Sequence, residues 1–134
     1  MKKRILILLM GVMLLTSIVL PINAASESLL WDNIIFVTGG ISFNGNNGTY
    51  SACIEGQSDV NRITATATLY YKNSSGKWIE IPMNWSYDVS DSTLTIGESF
   101  TGVSGREYKV ELNATVYMNG YGESVSKTST KTCP

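Results

Sequence analysis

An antiparallel two-sheet β-sandwich of about seven strands is the fold the sequence predicts, and three observations predict it. No segment after residue 24 repeats its apolar residues at helical spacing. Apolar and polar residues instead alternate at period two in several runs. Clusters of Gly, Asn, Ser and Asp separate those runs at short intervals, as turns do between strands.

The elements follow in order. Trp31 to Phe43 is an extended stretch interrupted at Gly39-Gly40, and Asn44 to Gly48 is a turn. Thr49 to Gln57 is the second strand, and Ser58 to Asn61 a loop. Arg62 to Lys72 is the clearest strand, with Ile63, Ala65, Ala67, Leu69 and Tyr71 on one face. Its other face carries Arg62, Thr64, Thr66, Thr68, Tyr70 and Lys72, and β-branched Thr suits a pleated surface turned to water. A Ser-Gly hairpin at Asn73 to Gly76 leads into Lys77 to Tyr87, and Asp88 to Ser92 turns into a strand at Thr93 to Phe100. Arg106 to Met118 alternates as strongly as Arg62 to Lys72. Asn119 to Gly122 is a hairpin turn, and the Ser/Thr/Lys-rich run Glu123 to Cys133 reads as an exposed edge strand.

Upstream of the strands, Met1-Lys2-Lys3-Arg4 is a cationic start and Ile5 to Leu20 an almost unbroken apolar run. Pro21-Ile22-Asn23-Ala24 follows with a helix breaker and small residues. This is the three-part build of a cleavable signal peptide, with cleavage expected after Ala24. The apolar core falls short of the roughly 20 residues a membrane-spanning helix needs. The expected organisation is a signal peptide at 1–24 and one sandwich domain at 25–134, secreted and extracellular, free of the membrane after cleavage.

Seven of the ten Lys and Arg and all eleven Asp and Glu lie after Ala24, so the secreted part carries a net charge of −4. A mildly acidic domain of this kind is a poor partner for nucleic acid or an anionic membrane. Two cysteines, Cys53 and Cys133, remain in an oxidising compartment, and an even pair there is expected as a disulfide. Such a bridge would fasten the terminal strand.

Catalysis finds little support. The chain has no His, which removes Ser-His-Asp and Cys-His machinery and the usual zinc sites. Asp88 and Asp91 lie in a turn too short of oxygen ligands for calcium. Asn-X-Ser/Thr triplets at Asn47, Asn73, Asn84 and Asn113 serve turns and wet strand faces in a chain so rich in these residues. No cofactor or metal site is expected, and the chain is not expected to be an enzyme.

The binding promise is aromatic. Tyr70 and Tyr117 fall on outward faces of the two best strands, and Trp78 and Tyr121 lie in sequence near their ends. Exposed rings on a sheet suit sugars or peptides. A four-residue loop at Asn73 to Gly76 would pair Lys72 with Lys77 and turn Trp78 inward, with Ile79 and Ile81 outward; a bulge would reverse this.

Arg106-Glu107-Tyr108-Lys109-Val110-Glu111-Leu112-Asn113-Ala114 resembles the sixth strand of immunoglobulin and fibronectin type III domains. In those domains a Tyr at the start of the strand ties its hydroxyl to nearby backbone, and the resemblance implies that role for Tyr108. The immunoglobulin core cysteine would fall at Val110, and the core Trp is missing from Arg62 to Lys72. Thr66-Ala67-Thr68-Leu69-Tyr70-Tyr71-Lys72, the Ser/Gly turn, Trp78 and the Thr-Lys-Thr-Cys end look like small secreted proteins of clostridial-type bacteria. That likeness implies fold and location and transfers no active site. The expectation is therefore an immunoglobulin-like, monomeric, non-catalytic binding or interaction module for an extracellular glycan or protein. A carbohydrate-binding accessory domain is the alternative, and a small toxin or hydrolase a more distant one.

Overall fold

The computed structural model describes residues 31–134; the expected signal peptide lies outside the described residues. Seven strands follow in order: β1 (Ile34–Asn44), β2 (Asn47–Gly56), β3 (Val60–Lys72), β4 (Trp78–Val89), β5 (Thr93–Thr101), β6 (Glu107–Met118) and β7 (Tyr121–Thr132). They form two antiparallel sheets, ordered β1-β2-β5 and β4-β3-β6-β7. This is the immunoglobulin-like sandwich. Its fourth strand pairs with β3, and not with β5 as in constant-type immunoglobulin domains. No described helix is long and apolar enough to cross a membrane.

The alternation read from the sequence is the alternation of burial. Ile63, Ala65, Ala67 and Leu69 on β3 face Tyr108, Val110, Leu112, Ala114 and Val116 on β6, and all are buried. From the other sheet Tyr50, Ala52, Ile54, Leu94, Ile96 and Phe100 close the core. One end of that core is aromatic. Phe43, Phe100 and Tyr108 meet with centroids 5.4–5.7 Å apart. Trp85 of β4 stacks parallel to Tyr50 at 6.3 Å and reaches Phe100 at 6.4 Å. The core Trp missing from β3 thus has a counterpart on the neighbouring strand. Tyr108 takes the role its resemblance implies: the Val103 N–H donates to its hydroxyl at 2.8 Å, closing the corner between β5 and β6.

The β3–β4 hairpin differs from its simplest reading. Lys72 pairs with Trp78, not Lys77. The Asn73 N–H donates to the Lys77 carbonyl, the Gly76 N–H donates to the Asn73 carbonyl, and Gly76 has a φ of 77°. Ser74-Ser75-Gly76 is therefore a three-residue loop ending in a left-handed glycine, the hairpin type that carries a bulge. The Asn73 side-chain oxygen holds it by accepting the N–H groups of Ser75 and Lys77. The extra residue turns Trp78 outward, and Ile81 packs against the core instead of facing out. Ile79 is the member of that pair that stays exposed.

The expected Cys53–Cys133 bridge is absent: both thiols are free. Cys53 stands mid-strand on β2 between the buried Ala52 and Ile54, so its side chain points away from the core. Cys133 is buried at the far end of the sandwich, its sulfur 3.8 Å from the Gly45 carbonyl oxygen and from Asn46 Oδ1. Six residue steps along β2 separate Cys53 from Asn47, about 20 Å of extended chain. A disulfide needs Cα atoms within about 7 Å. Thiol titration of unreduced protein should count one rapidly reacting thiol in the folded state, Cys53, and two after unfolding. A count of zero after unfolding would overturn this placement.

Candidate functional site

The outer face of the four-stranded sheet gathers the candidate residues. Pairing places Ser86, Thr66, Asn113 and Ser126 side by side across all four strands. Asn84, Thr68, Glu111 and Thr128 form the next rank, and Thr64, Thr115 and Ser124 stand in the rank on the other side. The Ser126 hydroxyl donates to Asn113 Oδ1 at 2.6 Å, and the Thr115 and Ser124 hydroxyls lie 3.1 Å apart. A shallow depression of about 410 Å³ runs over the Ser86–Ser126 rank and the Thr64–Ser124 rank, lined by their hydroxyl and amide side chains.

The four aromatic candidates do not form one platform. Tyr70 and Tyr117 share the outward face, but Tyr117 pairs with Arg62, eight residues along β3 from Tyr70. That separation is about 26 Å. Tyr70 and Trp78 come together at one end of the face, and Tyr117 and Tyr121 lie at the other.

At the first end, the Lys109 ammonium sits between two rings, 4.5 Å from the Tyr70 centroid and 4.9 Å from that of Trp78. Lys72 approaches the same indole at 5.2 Å. Each ammonium also meets a carboxylate: Lys109 bonds Glu111 at 2.6 Å, and Lys72 lies 3.6 Å from Glu107. Burial, followed by the carboxylates of Glu111 and Glu80, pushes the Tyr70 hydroxyl above its ordinary range. The two rings are thus braced by cations, which orients them and leaves them partly open to solvent.

At the second end, the Arg62 guanidinium lies 5.4 Å from the Tyr117 centroid and makes a two-pronged pair with Asp88 at 2.7 and 2.8 Å. Hydrogen bonding from Arg62 holds the Asp88 carboxyl below its usual value. Tyr121 is 80% exposed at the edge of the Asn119-Gly120 hairpin, whose two turn residues have φ of 51° and 81°. A side chain at Gly122 would collide with Tyr117 and Thr115 at 2.9 Å, so that ring lies close against a bare stretch of β7.

Among the described residues no group of three or more His, Cys, Asp or Glu is placed to hold a metal ion. A carboxylate–hydroxyl pair, Tyr87 Oη donating to Glu98 Oε1 at 2.6 Å, bridges the edges of the two sheets. Burial and then Glu98 push that hydroxyl up, so it stays protonated and serves as a tie between β4 and β5.

The bracing lysines were not read from the sequence as part of the aromatic site. Their outward parity was legible; that Trp78 shares it depends on the bulge at Gly76.

No family model and no curated protein matches the chain. Among solved structures, two of a β-glucuronidase from Parabacteroides merdae resemble it. One, with glycerol in its active site, is 12% identical with a TM-score of 0.45, over 71% of this chain and 13% of that one. The other is 13% identical with a TM-score of 0.42, over 73% and 13%. The chain spans only 13% of the length of those enzymes, and a likeness so short and distant transfers no activity.

Proposed function

We propose that this protein is a secreted, non-catalytic binding module whose ligand surface is the outer face of the four-stranded sheet, and that its ligand is a carbohydrate. One observation carries the reading. Consecutive ranks made mostly of Ser, Thr and Asn side chains, with Glu111 and Asp88 among them, cover the centre of that face, and the braced Tyr70–Trp78 pair stands at its end. Hydroxyl and amide groups exchange hydrogen bonds with sugar hydroxyls in both directions. An aromatic ring offers the apolar face of a pyranose a flat partner. Of the carboxylates on the face, Glu111 is engaged by Lys109 and Asp88, at the other end, by Arg62, while Glu80 stands exposed beside Tyr70.

A glycan array probed with the secreted protein tests the proposal. Binding to at least one glycan class is expected, with no release of shortened sugars on long incubation. Tyr70→Ala combined with Trp78→Ala should then lower affinity at least about tenfold, the equivalent of 1.4 kcal/mol. The unfolding midpoint should move little, because neither ring belongs to the buried core. Binding that survives the double substitution would move the ligand elsewhere, and cleavage products would refute the non-catalytic reading.

A further inference from the structure

Charge is segregated along the length of the sandwich. Lys72, Lys77, Arg106, Lys109 and Lys131, five of the seven bases after Ala24, lie at the end formed by the β3–β4 hairpin, the β5–β6 loop and the close of β7. The opposite end holds Asp32, Asp59, Asp88, Asp91 and Glu123, with Arg62 already paired to Asp88. Within the basic end Lys72 and Lys109 are partnered by Glu107 and Glu111. Lys77, Arg106 and Lys131 have no carboxylate within bridging distance among the described residues, and Lys77 and Lys131 are exposed. Three cations without a carboxylate partner therefore lie at this end of the sandwich, Lys131 at the opposite parity of β7 from Thr130 and Thr132, and Glu80 is the one side-chain carboxylate there outside the two ion pairs among the described residues.

Rings and hydroxyls are interleaved with these cations. Arg106 stacks 4.5 Å over Tyr71, and Trp78 lies under Lys72 and Lys109. A depression of about 470 Å³ opens between the hairpin and the β5–β6 loop, lined by Lys72, Asn73, Ser74, Ser104, Arg106 and Thr132 among others. It adjoins a second, at Glu107, Thr130, Lys131 and Thr132.

We infer that this basic pole binds an acidic polysaccharide, one whose sugar rings carry carboxylate or sulfate groups. The inference rests on the binding-module reading and names its ligand class. The cations supply sites for the acidic groups, the Trp78 indole a face for a ring, and the loop hydroxyls partners for sugar hydroxyls. The same layout disfavours nucleic acid, which needs a continuous positive track. Beyond Trp78 and Tyr70 the face passes Glu80 and Glu111 into neutral ranks, and its next base is the paired Arg62. A polysaccharide tolerates that change, because its neutral hydroxyls suit the Ser, Thr and Asn ranks. The exposed cations are not enclosed, so affinity comes from several weak contacts along one polymer, and a free acidic monosaccharide binds negligibly.

Affinity electrophoresis of the secreted protein in gels containing polygalacturonate, chondroitin sulfate or neutral dextran tests this. Retardation by at least one acidic polymer is expected. It should weaken at least about tenfold in about 1 M salt, where the Debye length shrinks to about 3 Å. Lys77→Glu with Lys131→Glu, both at exposed positions, should abolish it, and Arg106→Gln should reduce it, while circular dichroism and the unfolding midpoint confirm each fold. Retardation by dextran alone, or acidic-polymer binding indifferent to the charge reversals, overturns the acidic assignment and leaves the sheet-face module intact. No retardation in these gels together with an empty glycan array overturns both. Equal retention by DNA or by phosphatidylglycerol vesicles would show a general anion patch and refute the glycan.

Discussion

Leu112→Ala is expected to lower stability by about 2–5 kcal/mol, the range for a leucine truncated in a packed core. Leu112 is 1% exposed at the centre of β6, paired with Ala67 on β3 and Lys127 on β7. Its neighbours across the sandwich belong to the opposing sheet, so the cavity left behind has no flexible loop to collapse into it. Urea unfolding followed by tryptophan fluorescence would measure the shift, since Trp85 sits within the aromatic end of the core. Thr128→Ala, exposed on the neighbouring strand, serves as the reference and should stay within about 0.5 kcal/mol. A Leu112→Ala loss no larger than that of Thr128→Ala would contradict the register of β6.

That register was legible in the sequence because each strand has one wet face. In β3 the alternation Ile63-Thr64-Ala65-Thr66-Ala67-Thr68-Leu69 leaves a single way to bury the apolar set, and a slip by one residue would expose all of it. The last strand was read instead from its Ser/Thr/Lys composition and the turn before it. The role of Tyr108 was legible only through the resemblance of its strand to the sixth strand of immunoglobulin and fibronectin type III domains.

What was illegible depended on single-residue events or on long-range contacts. The side taken by Trp78 turned on whether the Asn73–Lys77 loop held a bulge, and a Ser-Ser-Gly loop admits either answer until Gly76 adopts its left-handed φ. The cysteines were read from their compartment and number, which say nothing of reach. Strand parity sends Cys53 outward, and the sandwich puts Cys133 inside at the far end. The aromatic site was half legible. Outward parity was right for Tyr70 and Tyr117, but parity does not report distance along a strand, and antiparallel pairing of β3 with β6 drives the two rings to opposite ends.

A second large effect is expected where the chain enters the sandwich, at a contact with no sequence signature. The Glu123 carboxylate accepts three successive backbone N–H groups, from Asp32 at 2.9 Å, Asn33 at 2.8 Å and Ile34 at 3.1 Å. The Asn33 side chain, 5% exposed, returns the grip by donating to the carbonyls of Val116 and Tyr121, both at 3.1 Å. Some ninety residues of chain separate the partners, and together they pin the start of β1 to the β6–β7 hairpin. A carboxylate gripped by consecutive amides makes charge-assisted bonds, stronger than neutral ones. Asn33→Ala removes a buried donor pair and strands the Val116 carbonyl. Each of Asn33→Ala and Glu123→Ala should therefore cost about 1–3 kcal/mol. The double variant should cost less than their sum, because either change already frees the segment the other holds. Hydrogen exchange gives the local readout: the amides of Asp32, Asn33 and Ile34 should lose protection in Glu123→Ala while those of β3 and β6 keep theirs. Additive costs, or unchanged exchange at the three amides, would mean that the two side chains act separately and do not fasten β1.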